Sequence, residues 1–324
     1  MRRNPRSVFL LTLSLLLVGC ASSPFLPASG STGSSTASLT AFSQPGVNYE
    51  MTFWSPDGRW VVAAATDVPG EIDLFSSNGQ VVSTWKNECD LYASGEGFSW
   101  LLDGRWSCPY GNEPPLLEIR TLSQKGHMGT QTLIPLPTNP GTIVETSLWN
   151  PRHFWLATIA ESQPGLDNQI LYLSDLSGRR LAPPLDVNGS DLAWSPDGTT
   201  LAVVQRTGDV LLLDVHEQAN GLLALQKQRT LSAGTANDEP VAWSPSGRWL
   251  ICRHGTYEQE DYLFLLATDG SGKQVKLTSS LTDGQLLLPS WSPDGTRVLV
   301  TIVGSGQLFS IDMATFLKAH KLAP

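Results

Sequence analysis

Six tryptophans recur at nearly constant spacing along the chain, each just ahead of a tight-turn tetrapeptide or a worn version of one. The copies read WSPDG at Trp54, WLLDG at Trp100, WNPRH at Trp149, WSPDG at Trp194, WSPSG at Trp243 and WSPDG at Trp291. Neighbouring tryptophans are 46, 49, 45, 49 and 48 residues apart. A period in that range belongs to an array of equivalent supersecondary units, not to one irregular domain.

The tetrapeptide meets the positional demands of a type I turn. Ser55 stands first, Pro56 second with its fixed φ, Asp57 third, and Gly58 fourth, where positive φ is cheap. Such a turn joins adjacent antiparallel strands. Downstream of it run Trp60-Val-Val-Ala-Ala, Leu201-Ala-Val-Val, Trp249-Leu-Ile-Cys and Val298-Leu-Val-Thr-Ile, of strand length and bounded by turn residues. A third strand follows in every unit, as in Ile72-Asp-Leu-Phe and Tyr262-Leu-Phe-Leu, and a fourth in most, as in Gln274-Val-Lys-Leu-Thr. The expectation is an all-β chain: a six-bladed β-propeller of four-stranded antiparallel blades. The tryptophans read as packing between blades, and the turn prolines and aspartates as architecture. Only Ala314 to Leu322 resembles a helix.

A ring has to close. Leu39-Thr40 precedes Trp54 much as Leu277-Thr278 precedes Trp291, so residues near 38 to 43 are expected to supply the outer strand of the last blade and remove an exposed strand edge. Phe316 to Leu322 is the alternative.

The repeat W-S-P-D-G, followed by an apolar strand and then a strand such as Leu308-Phe-Ser-Ile-Asp, resembles the TolB-like propellers, which are related to WD-type repeats. The resemblance covers about residues 38 to 324 and weakens in blades two and three, at Leu101, Leu102, Arg152 and His153. It implies the propeller fold. It does not carry over a role in the Tol-Pal system, because the periplasmic TolB protein has a further N-terminal α/β domain for which this sequence leaves no room between leader and first blade.

The first residues read as an export signal. Arg2, Arg3 and Arg6 form a basic segment, and Val8 to Val18 an apolar run too short to span a bilayer but suited to a signal-peptide core. Leu17-Val18-Gly19-Cys20 resembles a bacterial lipobox, which makes Cys20 the expected site of lipidation. The domains are therefore expected to be residues 1–19, a lipoprotein signal peptide; 20–37, a lipidated flexible tether rich in Ser, Gly, Thr, Ala and Pro; and 38–324, the propeller. This places the protein in the bacterial envelope, on the periplasmic face of an outer membrane or the outer face of a cell membrane.

Loss of residues 1–19 removes three of the 21 basic residues, leaving 18 against 30 acidic ones and a net charge of −12. That balance argues against nucleic acid or anionic lipid as partner of the globular part. Cys89 and Cys108 fall near the junction of blades one and two and are candidates for a disulfide, although spacing alone fixes no geometry; Cys252 lies within a strand and reads as a buried thiol.

Motifs for catalysis are scarce. There is no G-x-S-x-G elbow and no H-E-x-x-H, and the five histidines are scattered. No cofactor is implied. Carboxylates such as Asp67, Glu71, Asp209, Glu258 and Glu260 concentrate in the loops expected on one rim, while the opposite turns pair aspartates with Arg59, Arg105, Arg152, Arg248 and Arg297.

The reading is a noncatalytic binding platform for an envelope protein or cell-wall component, cationic by complementarity to the acidic rim. Tyr257, Glu258, Glu260 and Asp261 are its candidate contacts. Two alternatives stay open. One is a small lactonase- or lyase-like propeller enzyme with calcium at the channel mouth; the other is a glycan sensor using Tyr92, Tyr110 and Tyr257.

Overall fold

Among the described residues twenty-four short strands follow one another and sort into six antiparallel sheets of four. The computed structural model describes residues 36–68, 70–86, 98–112, 115–139, 142–161, 169–232, 242–255, 262–279, 286–302 and 304–324. These belong to the unit that runs from Ser35 to Pro324.

Strand β1 (Leu39–Ala41) precedes the first blade. Blade one holds β2 (Tyr49–Trp54), β3 (Trp60–Ala65), β4 (Glu71–Ser76) and β5 (Val81–Lys86), in order from the axis outward. Blade two holds β6 (Ser99–Trp100), β7 (Trp106–Asn112), β8 (Pro115–Leu122) and β9 (Met128–Pro135). Blade three holds β10 (Ile143–Trp149), β11 (Leu156–Glu161), β12 (Gln169–Ser174) and β13 (Leu185–Asp186). Blade four holds β14 (Gly189–Trp194), β15 (Thr200–Gln205), β16 (Asp209–Glu217) and β17 (Leu223–Ser232). Blade five holds β18 (Ala242–Trp243), β19 (Trp249–His254), β20 (Tyr262–Ala267) and β21 (Gln274–Lys276). Blade six holds β22 (Leu286–Trp291), β23 (Arg297–Ile302) and β24 (Leu308–Asp312), with β1 as its outer strand.

The ring closes as the sequence predicts. Each inner strand touches the inner strand of the next blade, and β22 touches β2. Strand β1 pairs with β24 in the register Leu39 with Ile311 and Ala41 with Phe309. Phe42 N–H donates to Leu308 O at 2.8 Å, and Leu308 N–H donates to Ser43 Oγ at 3.0 Å. The last edge is thereby covered. Residues Met313–Ala319 form helix α1, capped by the Asp312 side chain, which accepts from Thr315 N–H. Met313, Phe316 and Leu317 bury against blades five and six, so the segment 316–322 is not the closing strand.

Second strands, blade two's excepted, are largely apolar on both faces because each blade is sandwiched between two neighbours. In β3, Val61 and Ala63 join the cluster between blades six and one, while Val62 and Ala64 join the one between blades one and two. Six apolar clusters correspond to the six seams. Alternation is therefore lost in these strands, as expected where both faces are buried.

The recurrent turn is tied by its own side chains. Gly58 N–H donates to Ser55 O at 2.9 Å, Ser55 Oγ donates to Asp57 Oδ1 at 2.7 Å, and Trp60 N–H donates to Ser55 Oγ at 3.0 Å. Blades four and six repeat the pattern through Ser195 with Asp197 and Ser292 with Asp294. Blade five substitutes Ser246 for the aspartate.

The two degenerate turns differ for separate reasons. In blade two Trp100 pairs directly with Trp106, whereas in blade one Trp54 pairs with Val61, so blade two's turn is one residue shorter. In blade three Asn150 Oδ1 accepts from the N–H groups of Arg152 and His153, while its Nδ2 donates to Gly198 O of the blade-four turn at 2.8 Å. Gly198 has φ +75°, and a Cβ there would lie 2.5 Å from Asn150 Oδ1.

Candidate functional site

The repeated tryptophans occupy one place in every blade, but their indole nitrogens do not share one partner. Trp100, Trp194 and Trp243 donate to the preceding blade's inner strand, at Phe53 O, Leu148 O and Ala193 O, over 3.3, 3.1 and 3.0 Å. Trp149 donates instead to Ser107 Oγ at 2.9 Å. Among the described residues the buried Nε1 atoms of Trp54 and Trp291 have no hydrogen-bond partner. Trp54, Trp149, Trp194 and Trp291 are buried, whereas Trp100 and Trp243 are half-buried.

The first residue after each turn faces the next seam. Counted by strand register, this position holds Trp60, Arg105, Trp155, Thr200, Trp249 and Arg297 in blades one to six. Five of the six are Trp or Arg, large enough to fill the seam. Trp60 packs into the cluster between blades one and two, Trp249 into the one between five and six, and Arg105 lies over the ring of Phe154 in blade three at 5.9 Å. Thr200 is the short one.

Beside Thr200, between blades four and five, a cleft of about 370 Å³ opens. Its blade-four wall includes Asp197, Thr200, Leu212 and Gln228; its blade-five wall includes Trp243 and Thr268; Arg152 of blade three stands at its edge.

Each wall is fixed. The Trp243 indole is held by its bond to Ala193 O. Thr268 N–H donates to Arg248 O at 3.0 Å and its Oγ1 to Gly247 O at 2.8 Å. Gln228 is the extra residue of a β-bulge in β17, since Leu212 pairs with Arg229 and Leu213 with Lys227. Bulges of this kind re-aim a side chain. Arg152 Nε donates to Pro196 O at 2.9 Å.

Asp197 carries the charge of the blade-four wall. Partial burial acts to raise its carboxyl, but hydrogen bonds from Ser195 Oγ, Thr199 N–H and Thr199 Oγ1 outweigh that and hold it below the ordinary carboxylate range. It is therefore ionised at neutral pH. The cleft presents an aromatic face, a carboxylate, an amide and hydroxyls on rigid backbone, which is the equipment of a binding site.

Of the sequence candidates, Cys20, Cys89, Tyr92, Tyr257, Glu258, Glu260 and Asp261 lie outside the described residues. Cys108 is buried and disulfide-bonded. Cys252 is a free, buried thiol, as expected from its strand, and burial pushes its pKa far up. Among the described residues no group of three or more His, Cys, Asp and Glu is placed to hold a metal ion. The turn arginines differ: Arg59 pairs with Asp57, Arg105 pairs with Asp103 and also lies over Phe154 of the next blade, and Arg152 and Arg297 reach the neighbouring blade. The cleft was missed by motif reading, although Thr200 among five Trp or Arg residues is its signal.

No protein-family model and no curated protein matches the sequence. By structure the chain is similar to the β-propeller domain of Cps50 (Swd1) from Myceliophteria thermophila, with a TM-score of 0.56, 12% identity, and coverage of 82% of this chain and 83% of that one. At that identity the likeness is one of fold, that of a β-propeller.

Proposed function

We propose that the protein is a noncatalytic binding platform of the cell envelope, a TolB-like propeller held at a membrane by a lipid on Cys20, and that the cleft between blades four and five is its recognition site. The observation that carries the site is the cleft itself, with Asp197 and Trp243 held on opposite walls by hydrogen bonds to their own scaffold. A rigid ring presenting polar groups at a seam suits recognition of a protein or cell-wall component. The net charge of −12 after loss of residues 1–19 favours a cationic partner, with the segment Tyr257, Glu258, Glu260 and Asp261 as further contacts. The anchor rests on Arg2, Arg3, Arg6, the apolar run Val8 to Val18 and the Leu17-Val18-Gly19-Cys20 motif. An oxidising envelope fits a bond between Cys108 and Cys89.

The test is capture from an envelope extract by the full chain, wild type and Thr200→Arg side by side. A partner retained by the wild type and lost from the variant is the expected result. Equal capture by both sinks the cleft as recognition site. Membrane fractionation of Cys20→Ser tests the anchor separately, with release into the soluble fraction expected.

A further inference from the structure

The seam between blades six and one shows what fits such a place. There Arg297, the counterpart of Thr200, lies with its Cζ 5.1 Å from the centre of the Trp54 ring, and its Nη1 donates to Ser77 O at 2.8 Å. Asp294 stands beside it. Partial burial acts to raise that carboxyl, but hydrogen bonds from Ser292 and Thr296 and the charge of Arg297 hold it low.

Each of these groups has a counterpart around the cleft. Trp243 corresponds to Trp54 and Asp197 to Asp294. Thr268 corresponds to Ser77: each follows the third strand, and their N–H groups donate at 3.0 Å to Arg248 O and Arg59 O respectively. The guanidinium of the Arg297 position is missing, because Thr200 is too short to bring one; Arg152 stands at the cleft's edge, and Arg229 Nη1 lies against Gly270, two residues after Thr268.

We infer that the cleft between blades four and five takes the guanidinium group of a ligand's arginine side chain, laid on the Trp243 indole and bonded towards Asp197 and the Thr268 backbone. This rests on the reading of the cleft as a recognition site. A planar cation over an indole gains from the ring's negative face, and its fork of donors suits a carboxylate with a carbonyl beside it. Arg152 brings a like charge from the blade-three side. A bare cation therefore gains less than an arginine whose own carboxylate or peptide carbonyl turns to Arg152.

The experiment titrates the full chain with n-butylguanidinium, n-butylammonium, L-arginine and acetyl-Gly-Arg-Gly-amide by calorimetry. Saturable binding of n-butylguanidinium, tighter than that of n-butylammonium, is expected. It should weaken about tenfold in Asp197→Asn and vanish in Thr200→Arg, where the chain supplies its own cation. Tighter binding of the peptide identifies a polypeptide source and tighter binding of L-arginine a free amino acid; both uphold the guanidinium site.

Absence of saturable binding, or unchanged binding in Thr200→Arg, overturns the inference. Capture of an envelope partner that Thr200→Arg abolishes but n-butylguanidinium fails to compete also overturns it, while leaving the recognition site in place. Capture that is indifferent to Thr200→Arg removes the site and the inference together.

Discussion

Two seams of the same ring solve one steric problem in opposite ways. Between blades six and one, Arg297 crosses to the next blade, covers the Trp54 ring and ties itself to Ser77 O. Phe42 packs edge-on to the same indole at 6.2 Å and Tyr49 edge-on to Phe75 at 5.5 Å, so this seam is filled with aromatic rings and capped by a cation. Between blades four and five the equivalent space beside Thr200 is an open cleft, bordered by the half-buried Trp243. The repeat thus separates two jobs. One seam uses side-chain volume for its own packing, and the other, at the same position of the repeat, leaves that volume open.

The sharpest way to break this comparison is to remove the indole from each seam. Trp54→Ala is expected to destabilise by about 3–5 kcal/mol, the range for large-to-small changes at a buried aromatic. Trp243→Ala, which already borders a cleft, should lose about half as much. Denaturant midpoints at constant slope measure both. Equal losses would mean that the cleft is not an open place in the packing.

A second contrast sets the turns of neighbouring seams against each other. Gly198 and Gly247 have similar positive φ values, +75° and +72°, but a Cβ on Gly198 meets Asn150 Oδ1 at 2.5 Å while one on Gly247 meets only Pro196 Cδ at 3.9 Å. Gly247→Ala should therefore lose about 1 kcal/mol for backbone conformation alone. Gly198→Ala should lose about 2 kcal/mol or more, because the Asn150 clasp has to shift as well. The same denaturation experiment decides, and equal losses would remove the clasp as a constraint.

Converting one seam into the other sharpens the comparison further. Arg297→Thr removes the cation over Trp54 and its bond to Ser77 O, and is expected to lower stability by about 1–2 kcal/mol. Because it copies the Thr200 arrangement, n-butylguanidinium should restore part of the lost melting temperature in this variant and none in one where Trp54 is also replaced. Failure of that rescue would show that the two seams are not equivalent sites.

Much of this was legible in the sequence, and the parts that were not have physical causes. The ring and its closure followed from the tryptophan period and from Leu39-Thr40 echoing Leu277-Thr278, and β1 pairs with β24 as expected. The helix at Met313–Ala319 was visible in outline, with Asp312 as its cap. The seam position stayed hidden because blade two's turn is one residue shorter. Aligning by the Gly-Arg-Trp of residues 104–106 puts Trp106 at that position, whereas strand pairing shows that Arg105 occupies it. Gln228 was hidden for a similar reason, since a bulge is a property of pairing and not of composition. The contact candidates Tyr257 to Asp261 lie outside the described residues, so the site that the structure does describe is one that loop charges did not mark.

The smallest expected effect concerns pH. Asp57, Asp197 and Asp294 are each pushed upward by partial burial but pulled further down by hydrogen bonds from their turns, so all three lie below the ordinary carboxylate value. A carboxyl whose folded value is depressed contributes stability that is fully present above its unfolded value, about pH 4, and is lost as pH falls through the folded value. Blade five already runs its turn with Ser246 in the aspartate's place, where Ser244 Oγ and Ser246 Oγ lie 3.1 Å apart. Asp197→Ser should therefore keep the fold, change stability at neutral pH by less than about 1 kcal/mol, and flatten the loss of stability below about pH 4. Melting temperatures of wild type and variant across the acid range test this. Parallel curves would show that the turn carboxylates are spectators, and that Asp197 faces the cleft without being held ionised by its own turn.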